Sequence, residues 1–177
     1  MHFLRVRSLL ILLLGTLLVA AGLGYALSRP QHWDTYPREC EHPDHTAEDH
    51  VIARSGASGR EVYGPFGANS SAPWTAEEDS VMYTGIDTLE LKELYLKLRY
   101  SKNSPVAVPI LIYLDYEPDP RAILYLPDQH DWDAFTWTEP VQLGPVSRGR
   151  HFLRLTTEGQ PNGVAELDQL ILTTTRQ

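Results

Sequence analysis

From Leu91 onward the chain is a series of short segments with the alternation of β-strands. In "LKELYLKLRYS" apolar and polar residues alternate, which places on one face Leu94, Leu96, Leu98 and Tyr100. Comparable segments are "VAVPILIYLDY", "RAILYL", "DAFTWTEPVQLG", "HFLRLTT" and "VAELDQLILTTT", with weaker candidates in "REVYG" and "SVMYTGI". Gly- and Pro-containing turns separate them, and no helical period appears after Leu27. About eight such strands predict an all-β domain, a jelly-roll β-sandwich.

The N-terminal part has a different character, because Ser8 to Leu27 contains no charged residue. A helix of this length spans roughly 30 Å at about 1.5 Å per residue, the thickness of a hydrocarbon core. Arg5 and Arg7 precede the run, so the positive-inside rule leaves the N-terminus in the cytoplasm. The sequence predicts one N-terminal transmembrane helix, which contacts membrane lipid through residues 8–27.

A cleaved signal peptide is the alternative, with an apolar core from Leu9 to Ala20 and small residues at Gly24 and Ala26. The length of the apolar run favours a retained anchor. We therefore expect a cytoplasmic tip and transmembrane anchor over 1–27, an extracytoplasmic tether over 28–45 and a β-sandwich domain over 46–177. The protein is expected in the cytoplasmic membrane, with its C-terminal domain on the periplasmic or extracellular side.

Charge argues against nucleic acid as a partner. Residues beyond the anchor carry 13 basic and 23 acidic side chains, a net charge of −10, and phosphate binding needs clustered Lys and Arg. The single cysteine, Cys40, cannot form an internal disulfide, so the fold must rest on its hydrophobic core.

The stretch "ECEHPDHTAEDH", Glu39 to His50, combines that cysteine with three histidines and five acidic residues. Its Cys and His residues could bind zinc or copper, but their spacing matches no zinc motif. We interpret the Cys/His part of this stretch as a solvated linker. The C-terminal end of the stretch is interpreted as the start of the domain.

The order of features resembles carbohydrate-binding modules of the family 6 and family 35 type, which share the galactose-binding-like jelly roll. Four segments carry the resemblance, which covers roughly Thr46 to Thr174: "TAED", "LYLKLRYS", "WDAFTWTEPVQLGPVSRGRHFLRL" and "AELDQLIL". The first corresponds to an acidic strand at the start of such modules, and the last to their closing Asn-x-Asp strand.

The resemblance implies a non-catalytic module that holds glycan and, in many relatives, a structural calcium ion. Carried over by position, the calcium ligands would be Glu48 and Asp168, while Thr46 replaces the first acid of the pair. Trp132 matches the aromatic platform on which a sugar stacks. Glu166 stands where such modules have a sugar-reading asparagine, a departure that weakens the inference of classical sugar recognition.

The loop "DQHDWDAF" supplies the remaining candidate ligand-binding residues, His130 and Asp131, around Trp132. A polar turn whose tryptophan folds back onto the core is the alternative. The sequence contains no phosphate-binding loop and no nucleophile elbow, and no catalytic Ser/His/Asp or Cys/His set can be assembled. We expect no enzymatic activity.

Two functions follow. The first is a non-catalytic accessory or structural interaction subunit of a larger membrane complex, for instance a respiratory or photosynthetic one. The alternative is a carbohydrate-binding module that holds envelope or environmental glycan. The lack of a catalytic domain, the short tether and Glu166 favour the protein partner narrowly.

Overall fold

Short β-strands make up the regular structure of the described part of the chain. The computed structural model describes residues 35–46, 51–66, 80–157 and 164–176, and within these ranges it contains strands and no helix. The strands, in chain order, are β1 (Thr35–Glu39), β2 (His45–Thr46), β3 (Val51–Ala53), β4 (Glu61–Phe66), β5 (Ser80–Thr88), β6 (Leu91–Lys102), β7 (Val108–Leu114), β8 (Ala122–Leu126), β9 (Asp131–Trp137), β10 (Val141–Val146), β11 (Gly149–Thr156) and β12 (Ala165–Thr173). The expected all-β architecture is therefore confirmed, with more strands than the sequence indicated.

The strands form two antiparallel sheets that pack as a jelly-roll sandwich. The seven-stranded sheet has the order β10-β6-β12-β4-β3, with β1 also paired to β12 and β9 also paired to β6. The five-stranded sheet has the order β2-β5-β11-β7-β8. Because consecutive strands often lie in different sheets, residues far apart in sequence meet on one surface.

The core lies between the sheets and follows from the alternation along each strand. The leucine face of β6 is fully buried, as are the β7 side chains of Ile110 and Ile112 and the β12 side chains of Leu170 and Leu172. Burial of one such side chain contributes roughly 1.5–3 kcal/mol. The two hydrophobic faces therefore fix which side of each sheet meets the core.

The sandwich begins earlier than the sequence indicated. Strand β1, within the segment predicted as a tether, pairs residue by residue with β12, from Thr35 opposite Thr173 to Glu39 opposite Gln169. Cys40, directly after β1, is fully buried in the core. Three prolines in a polar stretch suggested an extended linker, but an edge strand tolerates proline, as at Pro37.

The transmembrane prediction concerns residues 8–27, which lie outside the described ranges. In the part of the chain that is described, no helix is long and apolar enough to cross a membrane.

Candidate functional site

Trp132, the predicted platform, lies at the start of β9 and is half-buried. The guanidinium of Arg54, which follows β3, lies over its indole ring at 5.9 Å from the centroid. A cation at this distance is attracted by the electrons of the ring face. The contact occupies one side of the ring and leaves less of it open for a sugar.

Glu166, in the predicted sugar-reading position, is buried and ion-paired with the same arginine. Arg54 Nε donates to Glu166 Oε2 at 2.7 Å and Nη2 donates to Oε1 at 2.5 Å. The hydroxyl of Ser101 donates to Oε2 at 3.2 Å. Both carboxylate oxygens therefore have protein donors, and Arg54 is the residue that brings Trp132 and Glu166 together.

His130 and Asp131 are exposed and stabilise the turn before β9. The ring Nδ1 of His130 lies 2.9 Å from Oδ2 of Asp128, and Oδ1 of Asp131 accepts from the backbone N–H of Asp133 at 2.9 Å. A hydrogen bond from the backbone N–H of His130 lowers the pKa of Asp128, with a further one from Ser104. These contacts define the loop and leave both side chains directed to solvent.

Asp168, one of the two predicted calcium ligands, is fully buried on β12. Its Oδ1 accepts from the backbone N–H and from the hydroxyl of Ser58, each at 2.8 Å. Its Oδ2 accepts from Arg99. Arg99 also donates to the carbonyl of Gly56 at 3.2 Å and lies over the ring of Phe135. The loop between β3 and β4 thus folds over this ion pair.

The carboxylates that lie near Asp168 come from the end of β1. Glu39 accepts from the hydroxyl of Ser58 at 2.6 Å and from the side-chain amide of Gln169 at 2.8 Å. Glu41 is only 5 % exposed, and no donor in the described part of the chain reaches its Oε2. Burial raises the pKa of Glu41, and the negative charges of Glu39 and Asp168 raise it further.

The carboxylates near Asp168 are relevant to the predicted calcium site, but the described residues do not form a complete site. Glu48 lies outside the described residues. Carboxylate oxygens are the donors that calcium prefers, so Glu39, Glu41 and Asp168 are of a suitable type. Among the residues described, however, no group of three His, Cys, Asp or Glu side chains is arranged to hold a metal ion. The calcium ion therefore stays a prediction.

A second surface, which sequence reasoning missed, lies on the solvent side of the five-stranded sheet. Alternate residues of β7 face the core, so the intervening ones face outward, next to outward residues of β8 and β11. We call this surface the aromatic band; its members are Pro109, Leu111, Tyr113, Tyr116, Ile123, Tyr125, Phe152 and Arg154. An antiparallel sheet usually places polar residues on its solvated side, so an apolar surface here is unusual.

Several members of the aromatic band are widely open to solvent. Tyr116 is 90 % exposed, Tyr125 61 % and Ile123 50 %. Tyr116 meets Phe152 edge to face, with ring centroids 4.8 Å apart. Near the middle of the band the guanidinium of Arg154 lies over the ring of Tyr113, 4.2 Å from its centroid. The band therefore presents open rings at both ends and a cation between them.

The sequence did contain a signal for this surface. "VAVPILIYLDY" is apolar on both faces, a pattern typical of a central strand of a sandwich. In a two-layer sandwich one face of every strand points to solvent. The correct inference was an apolar solvent-facing surface on β7.

No model of a known protein family matches the chain, and neither does any curated protein. Solved structures do resemble it. The C-terminal family 6 carbohydrate-binding module of a laminarinase from Zobellia galactanivorans superimposes with a TM-score of 0.63 at 15 % identity, over 78 % of this chain and 98 % of the module. A family 35 module from Cellvibrio japonicus gives 0.62 at 11 % identity, over 78 % of this chain and 92 % of the module.

An exo-β-1,3-galactanase from Phanerochaete chrysosporium also matches, with a TM-score of 0.62 at 17 % identity. The match covers 80 % of this chain, which spans only 30 % of the galactanase chain. At these identities the likeness establishes the fold. The expected fold, that of family 6 and family 35 carbohydrate-binding modules, is confirmed.

Proposed function

We propose that this chain is a non-catalytic glycan-binding module that uses the aromatic band as its binding surface. The observation that carries the proposal is the exposure of Tyr125, Ile123 and Tyr116 on the solvent side of the five-stranded sheet. The fold of carbohydrate-binding modules makes glycan the favoured ligand of such a surface, although fold alone is a weak warrant for function.

The chemistry of the band suits sugar rings. A pyranose presents an apolar face of C–H groups, and a planar aromatic side chain can cover that face while the hydroxyl groups stay hydrated at its rim. Covering a large side chain such as Tyr125 removes apolar area from water, at roughly 25 cal/mol per Å². Neighbouring Ile123 widens the apolar surface along β8.

The proposed module is non-catalytic, and the structural comparisons support this part of the proposal as well. The two modules with similar structures match over 98 % and 92 % of their own lengths, and both are described as carbohydrate-binding modules. The galactanase, by contrast, is matched over less than a third of its chain. These proportions support a binding role for the fold that the present chain shares.

An accessory subunit of a membrane complex is the second candidate. Contiguous exposed apolar surface also marks protein interfaces, and the aromatic band would serve such a partner as well. The likeness to carbohydrate-binding modules favours glycan, so the order of the two functions that the sequence suggested is reversed. We also propose, on the sequence alone, that residues 8–27 anchor the module in a cytoplasmic membrane.

A glycan array probed with the full-length chain in detergent solution tests the proposal. We expect binding to a subset of polysaccharides, with binding lost in Tyr125→Ala. Leu89→Ala is the matched control, because Leu89 is also an exposed hydrophobic residue but lies outside the band. Binding that is equal in both variants, or no binding of any glycan by the wild type, would contradict the proposal.

A further inference from the structure

We propose that one end of the sandwich contacts the lipid headgroups of the membrane in which the chain is anchored. This inference rests on the anchor over residues 8–27 proposed above. It goes beyond that proposal because it names the surface of the folded domain that meets lipid. It derives from the register of β1, from the turns at one end of the sheets and from the side chains exposed there.

The pairing of β1 determines the end at which the chain enters the sandwich. Thr35 lies opposite Thr173, the last residue of β12, and Thr173 lies opposite Tyr95 of β6. Because β1 and β12 are antiparallel, β1 starts where β12 finishes and runs towards the other end of the sheet. The chain before Thr35 therefore leaves the sandwich at the end where β12 finishes.

Three turns close the sandwich at this end, which we call the proximal end. Leu91, the first residue of β6, lies opposite Val146. Thr88, the last residue of β5, lies opposite Gly149. These pairs bring the β5–β6 turn and the β10–β11 turn together. Strand β7 runs antiparallel to β11, which begins at the proximal end, so the β7–β8 turn over 115–121 lies there too.

Hydrogen bonds between these segments fix the shape of the proximal end. The hydroxyl of Thr88 donates to the carbonyl of Ser147 at 2.8 Å, which joins β5 to the β10–β11 turn. Nη1 of Arg121 donates to the carbonyl of Pro145 at 2.6 Å, which joins the β7–β8 turn to β10. A surface held in this way loses little conformational freedom when it meets a partner.

The proximal end exposes two apolar side chains on its turns. Tyr116 is 90 % exposed and Leu89 is 36 % exposed. Tyrosine is enriched at membrane–water interfaces, where its ring lies at the level of the headgroups. Glu90 and Arg148 are exposed beside them, so the proximal end carries both signs of charge and is not a basic patch. The contact with lipid therefore depends on Tyr116 and Leu89 and on the short linker before β1.

The length of that linker limits the distance between the proximal end and the bilayer. Because β1 begins at Thr35, seven residues, 28–34, separate Leu27 from the sandwich. The eight Cα–Cα steps from Leu27 to Thr35 span at most roughly 28 Å. Strand β6 extends four residues, about 13 Å, beyond the level of Thr35, from Tyr95 to Leu91. At most roughly 15 Å therefore remain between the proximal end and the hydrocarbon core, a distance that includes the headgroups.

This contact would also orient the aromatic band. Tyr116 lies at the proximal end, whereas Tyr125 pairs with Pro109 near the start of β7, towards the opposite end. The band then runs away from the membrane. Tyr125 is held clear of lipid and stays open to a glycan that approaches from outside.

Quenching by nitroxide-labelled lipid headgroups tests the inference. The full-length chain is placed in phosphatidylcholine vesicles and carries one thiol-linked dye, at Leu89→Cys on the proximal end or at Val106→Cys in the β6–β7 loop at the opposite end. The two positions are matched, since both are exposed hydrophobic residues, at 36 % and 42 %. The native Cys40 is buried, and the wild type taken through the same labelling gives the background.

We expect nitroxide lipid to remove most of the fluorescence at Leu89→Cys and to leave that of Val106→Cys at its value without nitroxide. A nitroxide quenches only at short range, and the twelve residues of β6 place the two ends about 40 Å apart. With the dye at Ser147→Cys, most of the quenching should be lost when Tyr116→Asp is added, because a carboxylate is placed against the headgroups. Val106→Asp is the control and should leave the quenching at Ser147→Cys unchanged.

Three results would overturn the inference, and they can be told apart. If the chain stays with the vesicles after alkaline extraction but Val106→Cys is quenched as strongly as Leu89→Cys, or neither is quenched, the anchor stands and the proposed contact is wrong. Quenching at Ser147→Cys that survives Tyr116→Asp would assign the proximity to the linker alone. Release of the chain by alkaline extraction would contradict the anchor, and the inference with it, without affecting the glycan array.

Discussion

Glu166 and Arg54, 112 residues apart in sequence, form a two-bond ion pair on the outer side of the seven-stranded sheet. The pair joins β12 to the loop between β3 and β4. Glu166 is 3 % exposed, whereas 28 % of the Arg54 side chain remains open to solvent. The carboxylate in the expected sugar-reading position therefore has a structural partner.

Removing Arg54 should destabilise the domain because it leaves the Glu166 charge buried. We expect Arg54→Met to lower the free energy of unfolding by about 2–3 kcal/mol, less than the roughly 3–5 kcal/mol typical of a fully buried pair, because Arg54 is partly exposed. Urea titration measures the change. Arg60→Met, at an exposed arginine of the same loop, should have little effect. Combining Arg54→Met with Glu166→Gln should recover part of the loss, and no recovery would mean that the charge is not its cause.

The contribution of Glu41 to the stability of the domain should fall as the pH rises past the ordinary pKa of a glutamate. The pKa of Glu41 is raised in the folded state, first by burial and then by nearby carboxylates. Between the unfolded and the folded pKa the native state holds the extra proton, so stability is highest below the unfolded value and is lost as pH rises through the folded one.

Glu41→Gln removes this dependence, since an amide has no charge to bury. Free energies of unfolding should be measured from pH 4 to pH 8. The stability of the variant relative to that of the wild type should increase as the pH rises. Glu61→Gln is the control, at an exposed carboxylate of β4. Parallel curves for wild type and Glu41→Gln would show that Glu41 has an ordinary pKa.

Calcium should raise the melting temperature of the wild type above its value in EDTA. The physical reason is the buried Oε2 of Glu41, which has no donor in the described part of the chain and would gain a partner from a bound cation. Differential scanning fluorimetry with calcium chloride, with magnesium chloride as the comparison, provides the measurement. The rise should disappear in Glu41→Gln. Equal melting temperatures in calcium and in EDTA would contradict the prediction that the domain binds calcium.

Cys40 should be unreactive in the native protein. The thiol is fully buried, and burial raises its pKa well above the ordinary value, with neighbouring carboxylates adding to the effect. A thiol kept protonated and shielded from solvent is a poor nucleophile. Labelling with iodoacetamide should therefore be slow in buffer and complete in urea. Rapid labelling of the folded chain would contradict the position of Cys40 in the core.

The strand pattern allowed much of the sandwich to be predicted. Leu94, Leu96 and Leu98 face the core as their alternation in β6 indicated. Pro109 interrupts the apolar run of β7, and proline lacks a backbone N–H to donate. It lies in the part of β7 that pairs with β8 but precedes the residues paired with β11, so the strand loses no bond to β11 there.

Other features depend on long-range pairing that a single sequence does not reveal. Strand β1 is short and rich in polar residues and forms because β12 offers it an edge. Among the described residues, the carboxylates near Asp168 are those of Glu39 and Glu41, which precede the "TAED" segment in the sequence. Glu48 of that segment lies outside the described residues. The partners of Glu166 were equally hidden, since nothing near Arg54 in sequence marks it as a counter-ion.

The central claim is that the aromatic band, and not the Trp132 loop, binds glycan. The most direct measurement is the affinity of wild type, Tyr125→Ala and Trp132→Ala for the same glycan, determined by isothermal titration. We predict a loss of about tenfold or more for Tyr125→Ala, matching the roughly 1.5–3 kcal/mol contributed by covering one large side chain, and a change within about threefold for Trp132→Ala. A large loss in Trp132→Ala with unchanged affinity in Tyr125→Ala would contradict the account and move the site to the loop before β9.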